Sequence, residues 1–498
     1  MKTKVLLNNA IMETSNHNVH DQGLVSIYDR LTNSSVLKMV VIFFLTSFML
    51  IPMSWIYDLI QERRQREESV TKEIAQKWGR AQVVSAPVLA IPYSYWEETL
   101  QKDAEGKSAS VKTLANDWIF MLPEKSDIKV SVTPETLNRG IYQSVVYTAK
   151  VSIKGNFNKP DLSALRIDGN TVDWKNARII FGVEDIKGLS LSPSLYFAGN
   201  HYTLKKDNSI QGVFPNMLEA APIGLGEDDK VASTFELNYE IKGSKSFNFL
   251  PLADQTKLMV EGSWSNPSFN GGFLPDDRKV GQEGFQAVWN IASFGRKLPQ
   301  QWIGLQRIYN FADIPLSRED MIMTSEELSN PASQSSVATD TDMVQVNFLP
   351  EVNNYQKTYR VAKYGILVIV LTFASLFFTE IIKKQRIHIL QYILIGIAMV
   401  VFYSLLLAIS EHLGFNIAYL IASIATVSLI ASFILMITQQ KKTALLFGMI
   451  LSLFYVFIYV LMQLRDYSLI VGSIGIFIIL AVLMKLSTKV NWYTFDRQ

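Results

Sequence analysis

Residues Arg386–Phe415 read RIHILQYILIGIAMVVFYSLLLAISEHLGF, and from Ile393 to Ile409 they hold no charge. That length matches the roughly 20 apolar residues needed to cross a bilayer core. Basic side chains (Lys383, Lys384, Arg386) flank one end, and Glu411 and His412 flank the other. Another apolar run, Tyr364–Ile382, precedes it, and three more follow at Phe415–Ile437, Thr443–Leu464 and Tyr467–Met484. Five such segments joined by short turns specify a helical membrane bundle, because a lipid-exposed segment must satisfy its own backbone.

A sixth segment lies far upstream. Val36–Ile60 carries Lys38 near its start, where a lysine can snorkel, and Trp55 and Tyr57 at the opposite interface. The 35-residue prefix, the lack of a small-x-small site and Pro52 followed by bulky residues mark an uncleaved anchor rather than a signal peptide. In the stretch that follows, Gln61–Gly79, Val70, Ile74 and Trp78 recur every four residues. Glu62/Arg66, Glu68/Lys72 and Glu73/Lys77 are oriented i,i+4 pairs. An amphipathic helical stalk ending near Gly79 is expected. Its ERRQR cluster, with Arg63 and Arg66, could meet lipid phosphates or form a self-paired, solvated helix face.

Between the two hydrophobic parts the period changes to two. Phe235, Leu237, Tyr239 and Ile241 alternate with polar residues, as do Tyr147, Ala149, Val151 and Ile153, and Phe285, Ala287, Trp289 and Ile291. Shorter alternations occur at Ile128–Val132, Ile179–Val183 and Val344–Phe348, with Gly, Pro, Asn and Asp between them. The pattern predicts a largely antiparallel β domain of many short strands, each with one buried face. The fold class is thus a multi-pass α-helical membrane protein with six helices, one N-terminal and five C-terminal, and a large inserted β domain. The expected layout is a tail over 1–35, a span over 36–60, a stalk over 61–81, the β region over 82–358, a five-helix bundle over 359–484 and a tail over 485–498. Ser325–Asp342 is polar and low in complexity and is expected as an exposed loop; Tyr355–Lys363 reads as a short approach to the second span.

The short loops orient the bundle. Lys383, Lys384 and Arg386, then Lys441 and Lys442, then Lys485, Lys489 and Arg497 fall on one side, whereas Glu411–Gly414 carries no Lys or Arg. The positive-inside rule puts both termini in the cytoplasm and the β domain on the far side. The net charge of +2 gives no reason to expect a nucleic-acid partner. Zero cysteines exclude a disulfide framework, a thiolate metal site and a thiol nucleophile.

Three blocks of residues resemble the CreD family of inner-membrane proteins, described as cell-envelope integrity proteins. The first comprises Glu62, Arg63, Arg66, Glu73–Ile74, Trp78–Gly79, Gln82, Pro87 and Pro92–Tyr93. The second comprises Gly243–Ser244, Phe249–Pro251, Thr256, Ser263–Trp264, Pro267, Phe269, Gly271, Phe273–Pro275, Phe285, Ala287, Trp289 and Arg296. The third runs through Tyr355–Ser423, with Arg360, Lys363–Tyr364, Glu380, Ile387–His388, Gln391–Tyr392, Phe402–Tyr403 and Ser410–Phe415. Three departures stand out: Ala86 where a Gly is expected, Asn353 where a Val-Asp pair is usual, and a long N-terminal tail. The resemblance implies a bacterial inner membrane, a large periplasmic domain and a link to envelope stress. It implies no catalytic mechanism.

No HExxH, G-x-S-x-G or Rossmann fingerprint is present, so no catalytic residue and no cofactor are assigned. Gly106-Lys107-Ser108 fails as a Walker A loop because Gln101 stands where a Gly is required, and His17 and His20 have no third metal ligand. The candidate functional residues are the charged groups near the membrane: Glu411 and His412, Glu380, His388, Arg63 and Arg66. The bland expectations for them are a polar helix cap at Glu411–His412, an interfacial pair of Glu380 with Lys383 and Lys384, and a snorkelling His388. The leading function is a non-enzymatic envelope protein binding membrane lipids, an envelope component or a protein partner; the alternative is a transporter or lipid-transfer component. The oligomeric state stays open.

Overall fold

The computed structural model describes residues 35–102, 108–206, 210, 212–220, 222–225, 233–309, 342–348, 354–383, 387–464 and 468–488. The expected tail over 1–35 except Ser35, with His17 and His20, the expected loop over 325–342 except Asp342, Gly106–Lys107, Asn353 and the C-terminal tail beyond residue 488 lie outside the described residues. The chain divides into two compact units, Glu67–Glu351 and the residues on either side of it.

In the helical unit, α1 (Ser35–Phe48) is followed by α2 (Leu50–Trp78), whose C-terminal part belongs to the other unit. The helix assignment breaks at Met49 because Pro52, three residues on, has no N–H to return to the carbonyl of Phe48. Bonds Met49 N–H to Leu45 O (3.0 Å) and Met53 N–H to Met49 O (3.2 Å) carry the spiral across the break. Next come α3 (Asn354–Lys363), α4 (Gly365–Lys383), α5 (Ile389–Leu413), α6 (Phe415–Thr438), α7 (Lys441–Gln463) and α8 (Ser468–Ser487). Among the described residues five helices are long and apolar enough to cross a membrane, and α8 supplies a shorter sixth apolar helix. The stretch Tyr355–Lys363, expected as a plain approach, is instead the amphipathic helix α3, with Tyr355, Thr358, Val361 and Ala362 buried.

The other unit contains two layered sheets. In one, strands run in the spatial order 277–280, 285–292, 255–262, 125–139, 142–157, 233–244 and 194–197. All these pairings are antiparallel except 255–262 with 125–139. The second sheet centres on Gln82–Ser85 and Val88–Lys102, which share Arg178–Val183 as a neighbour on one edge. On the other edge Gln82–Ser85 pairs in parallel with Ser246–Leu250, and Val88–Lys102 pairs antiparallel with Ser108–Met121. The three inward alternations expected from sequence meet Phe181, Val183, Phe247 and Phe249 of the second sheet in one core.

Two expectations need correction. The strands are not all short: Val88–Lys102, Ser108–Met121, Lys125–Arg139 and Tyr142–Phe157 span 14 to 16 residues. The outer ends of Val88–Lys102 and Ser108–Met121 leave the core as a paired ribbon, so exposed residues there break the apolar alternation without ending the strand. Nor does every strand have one wet face. Gln82–Ser85, Arg178–Val183 and Ser246–Leu250 are covered on the second side by Val213, Phe214, Leu298, Trp302, Ile308 and Tyr309. Near-continuous apolar runs such as IIFGV are what a doubly buried strand requires.

Buried polar groups tie these layers together. Gln82, fully buried, donates to the carbonyls of Asp185 (3.3 Å) and Lys242 (2.9 Å) and accepts from the Asp185 amide (3.2 Å). The Tyr147 hydroxyl donates to the Ser246 carbonyl at 2.9 Å. A Cβ at Gly243 would lie 2.3 Å from that hydroxyl, so only glycine admits the tyrosine. Arg296 donates from Nε to Leu298 O and from Nη2 to Gln300 Oε1, both at 2.8 Å, and from Nη1 to Leu252 O. The end of α2 docks on this unit: Trp78 Nε1 donates to Tyr147 O at 3.3 Å, and Lys242 Nζ lies 4.6 Å from the Trp78 ring centre. The expected Glu73–Lys77 pair forms at 3.0 Å, and Glu73 also reaches Arg139 at 2.6 Å.

Glu184, at the end of Arg178–Val183, has a buried Oε2 with no hydrogen-bond partner. Burial pushes its carboxyl up to about 8; Arg80 opposes the rise and Asp185 adds to it. The unfolded chain ionises near the ordinary carboxyl value while the folded form stays neutral, so stability is fully present below that value and falls as pH rises through about 8. Thermal unfolding of the detergent-solubilised protein followed by tryptophan fluorescence should show this decline. Glu184→Gln should flatten it, and an unchanged slope in the variant would assign the decline to other groups.

Candidate functional site: charged clusters inside the helical unit

Helix α1 brings one charge, Lys38, into an otherwise apolar helix. Near the far end of α4 stands Glu380, whose side chain is 8% exposed. Lys38 and α1 run opposite in chain direction to α4, so the start of the one and the end of the other share a side. The Lys38 ammonium donates to Glu380 Oε1. The amide of Ile387 donates to the same oxygen at 3.1 Å, and the Tyr392 hydroxyl donates to Oε2 at 3.1 Å. The ring of Tyr392 packs edge-on against Phe373 at 5.7 Å, which fixes the hydroxyl. Both carboxylate oxygens are therefore engaged. Glu380 takes a partner 342 positions upstream; the side chain of Lys383 and all of Lys384, its expected interfacial partners, lie outside the described residues.

His388 stands beside this cluster as the N-cap of α5. Its Nδ1 accepts from the Leu390 amide at 3.2 Å, while Gln391 Oε1 accepts from the His388 amide at 3.0 Å. The ring is exposed and caps a helix. No proton or ligand path from His388 into the bundle follows from this geometry.

At the opposite end of α5, Glu411 and His412 separate. Consecutive helical residues point about 100° apart, and only Glu411 turns inward. It accepts from the Tyr355 hydroxyl at 3.1 Å and lies 3.9 Å from Arg63 Nε. His412 is exposed, as is Arg66. Asn354 braces the α5–α6 turn: its Nδ2 donates to Ser410 O at 3.2 Å, and its Oδ1 accepts from the Phe415 amide at 3.3 Å. Gly414 makes that turn with φ +77°, in open space, so its backbone angle rather than packing selects glycine. Tyr57 adds a further tie, donating to Ala362 O at 2.8 Å with its ring edge-on to Tyr359 at 5.8 Å.

The structure thus assembles two three-part clusters, Lys38–Glu380–Tyr392 and Arg63–Glu411–Tyr355, and leaves His412, His388 and Arg66 outside them. Lys38, Tyr392, Tyr355 and Asn354 are the participants that sequence reasoning missed. Lys38 was findable, because the first and second spans run in opposite directions and place it level with Glu380. Chemically, each carboxylate is held by a cation and a phenol, an arrangement that orders helices. Among the described residues no three His, Cys, Asp or Glu side chains gather as a metal site would need.

Removing one partner of a buried ion pair costs about 3–5 kcal/mol, whereas replacing both with apolar groups can be neutral. Lys38→Met and Glu380→Met should each lower the unfolding temperature sharply, and the double variant should recover most of the loss. At the other cluster, Glu411→Ala should destabilise, and His412→Ala should stay within about 0.5 kcal/mol of the parent. Thermal unfolding in detergent checks both; equal losses at the two positions would contradict their separation.

Comparisons with known proteins accord with this architecture. The sequence model of the family described as "Inner membrane protein CreD" matches residues 34–493. The chain is also 28% identical over 467 residues to the inner membrane protein CreD of Escherichia coli (strain K12), covering 92% of this chain and 94% of that protein.

Proposed function

Since the chain belongs to the CreD family of inner membrane proteins, we propose that it is a non-enzymatic envelope protein that contributes to cell-envelope integrity and the envelope-stress response. Its helical unit anchors it, both termini lie in the cytoplasm, and the β-rich unit stands in the periplasm and binds a partner or envelope component there. One observation carries this reading: the carboxylates Glu380 and Glu411 inside the bundle are each engaged by a cation and a tyrosine that hold helices together. Buried ionisable groups in a membrane are functional candidates by default; here their bonding supports an anchor. The outer face of the first sheet, with Lys129, Lys150, Asn238, Glu240 and Glu261 around a groove of about 550 Å³, is the surface offered to a partner. The orientation follows from the lysines and arginines of the short loops.

A reporter active only outside the cytoplasm, fused at Asn200, should be active, and one fused after Lys485 should be silent. The reverse pattern would overturn the topology. Photo-crosslinkers at Lys150 and Glu240 at native expression should then capture a discrete envelope component. A blank result there, with the protein present at normal level, would remove the binding role.

A further inference from the structure

The candidate site uses Asn354, Tyr355, Tyr359 and Ala362 of α3, and leaves the basic residues of that helix unexplained. Its sequence, NYQKTYRVAK, contains no acidic residue. Tyr355, Thr358, Val361 and Ala362 form the buried face. On the opposite side Gln356, Arg360 and Lys363 are exposed and fall within about 60° of one another at 100° per residue, with Lys357 at the margin. The ammonium of Lys357 lies 5.6 Å from the Phe415 ring centre and that of Lys363 lies 5.1 Å from the Tyr359 ring centre. Among the described residues no carboxylate forms an ion pair with Lys357, Arg360 or Lys363. Three cations thus lie on the outer side of one helix, two of them over aromatic rings, with no ion-pair partner among the described residues.

The length of the helix locates that face. Asn354–Ile381 is a candidate span of 28 residues. At about 1.5 Å per residue it is roughly 42 Å long, against a hydrocarbon core of about 30 Å. The surplus must project into a headgroup layer. The apolar residues of α4 begin at Gly365 and continue to Thr379, so the surplus is α3. Tyr57 and Tyr359 stack edge-on beside it, as interfacial aromatics do. At that height the abundant anion is the phosphodiester of a phospholipid.

We propose that the Lys357–Arg360–Lys363 face of α3 is a binding site for the headgroup of an anionic phospholipid. The rings under Lys357 and Lys363 hold their stems, so less side-chain freedom is lost when a phosphate arrives. Arg360 offers the planar fork that grips two phosphate oxygens at once. This proposal rests on the helices being a membrane bundle and is independent of what the β-rich unit binds.

The test uses the full-length protein in neutral detergent, titrated with phosphatidylglycerol or phosphatidylcholine and read by native mass spectrometry. Each interfacial cation contributes roughly fivefold to binding an anionic surface, so three set a ceiling on the order of a hundredfold. Phosphatidylglycerol should be retained at least tenfold more tightly than phosphatidylcholine. The triple variant Lys357→Gln, Arg360→Gln, Lys363→Gln should bind the two lipids alike at an unchanged unfolding temperature. Should that variant fold poorly, Lys357→Arg with Lys363→Arg keeps the charge and should keep the preference. Equal binding of both lipids by the parent, an undiminished preference in the folded triple variant, or displacement of the lipid by millimolar inorganic phosphate would each overturn the proposal. Crosslinks from Lys150 and Glu240 should be the same in parent and triple variant, which separates failure here from failure of the partner-binding function.

Discussion

Within hydrocarbon, a polar group without a partner costs several kcal/mol, because no water can replace the missing bond. The helical unit is arranged around that constraint. Lys38 and Glu380 are each costly alone near the end of an apolar helix, and their pairing offsets that cost. Tyr392 and the Ile387 amide take up the remaining acceptor capacity of the carboxylate. One contact therefore joins the first helix to helices encoded after the whole β-rich unit. Loop-closure entropy rises only slowly with the length of the intervening chain, so an insertion of this size costs the contact little.

The β-rich unit answers the same problem of buried polarity in a different solvent. Three strands of its second sheet, Gln82–Ser85, Arg178–Val183 and Ser246–Leu250, are covered on both faces, which leaves their polar atoms far from water. Gln82 meets this by donating to two carbonyls and accepting one amide. Arg296 meets it by spending its guanidinium on the carbonyls of Leu298 and Leu252 and on Gln300. With no cysteine in the chain, these braces and the packed core hold the unit together without disulfides. Glu184 is a carboxylate that escapes this bracing: one of its oxygens is buried without a bond, and burial pushes its carboxyl up to about 8.

Helix α3 links the two themes. Its buried face continues the helical packing through Tyr355 and Thr358, while its outer face holds basic side chains that no carboxylate in the described chain neutralises. A search for apolar runs alone passes over it, since its mean composition is polar and its length is ten residues. Amphipathic order shows only when the buried set 355, 358, 361 and 362 is known.

Periodicity was sufficient to reveal the segregation of spans from strands, because a bilayer demands about 20 apolar residues in a row and a half-buried strand demands alternation. The six apolar helices and the inward sets at Tyr147–Ile153, Phe235–Ile241 and Phe285–Trp289 were legible on that ground. Local rules also sufficed for Glu73–Lys77, whose partners lie one helical turn apart. Partner choice across long separations was not legible. Nothing local says that Tyr392 and the Ile387 amide join Lys38 at Glu380, that Glu411 turns to Tyr355 while His412 faces out, or that IIFGV is covered on both sides. Those outcomes depend on which distant elements come to lie side by side, and only the tertiary structure brings them together.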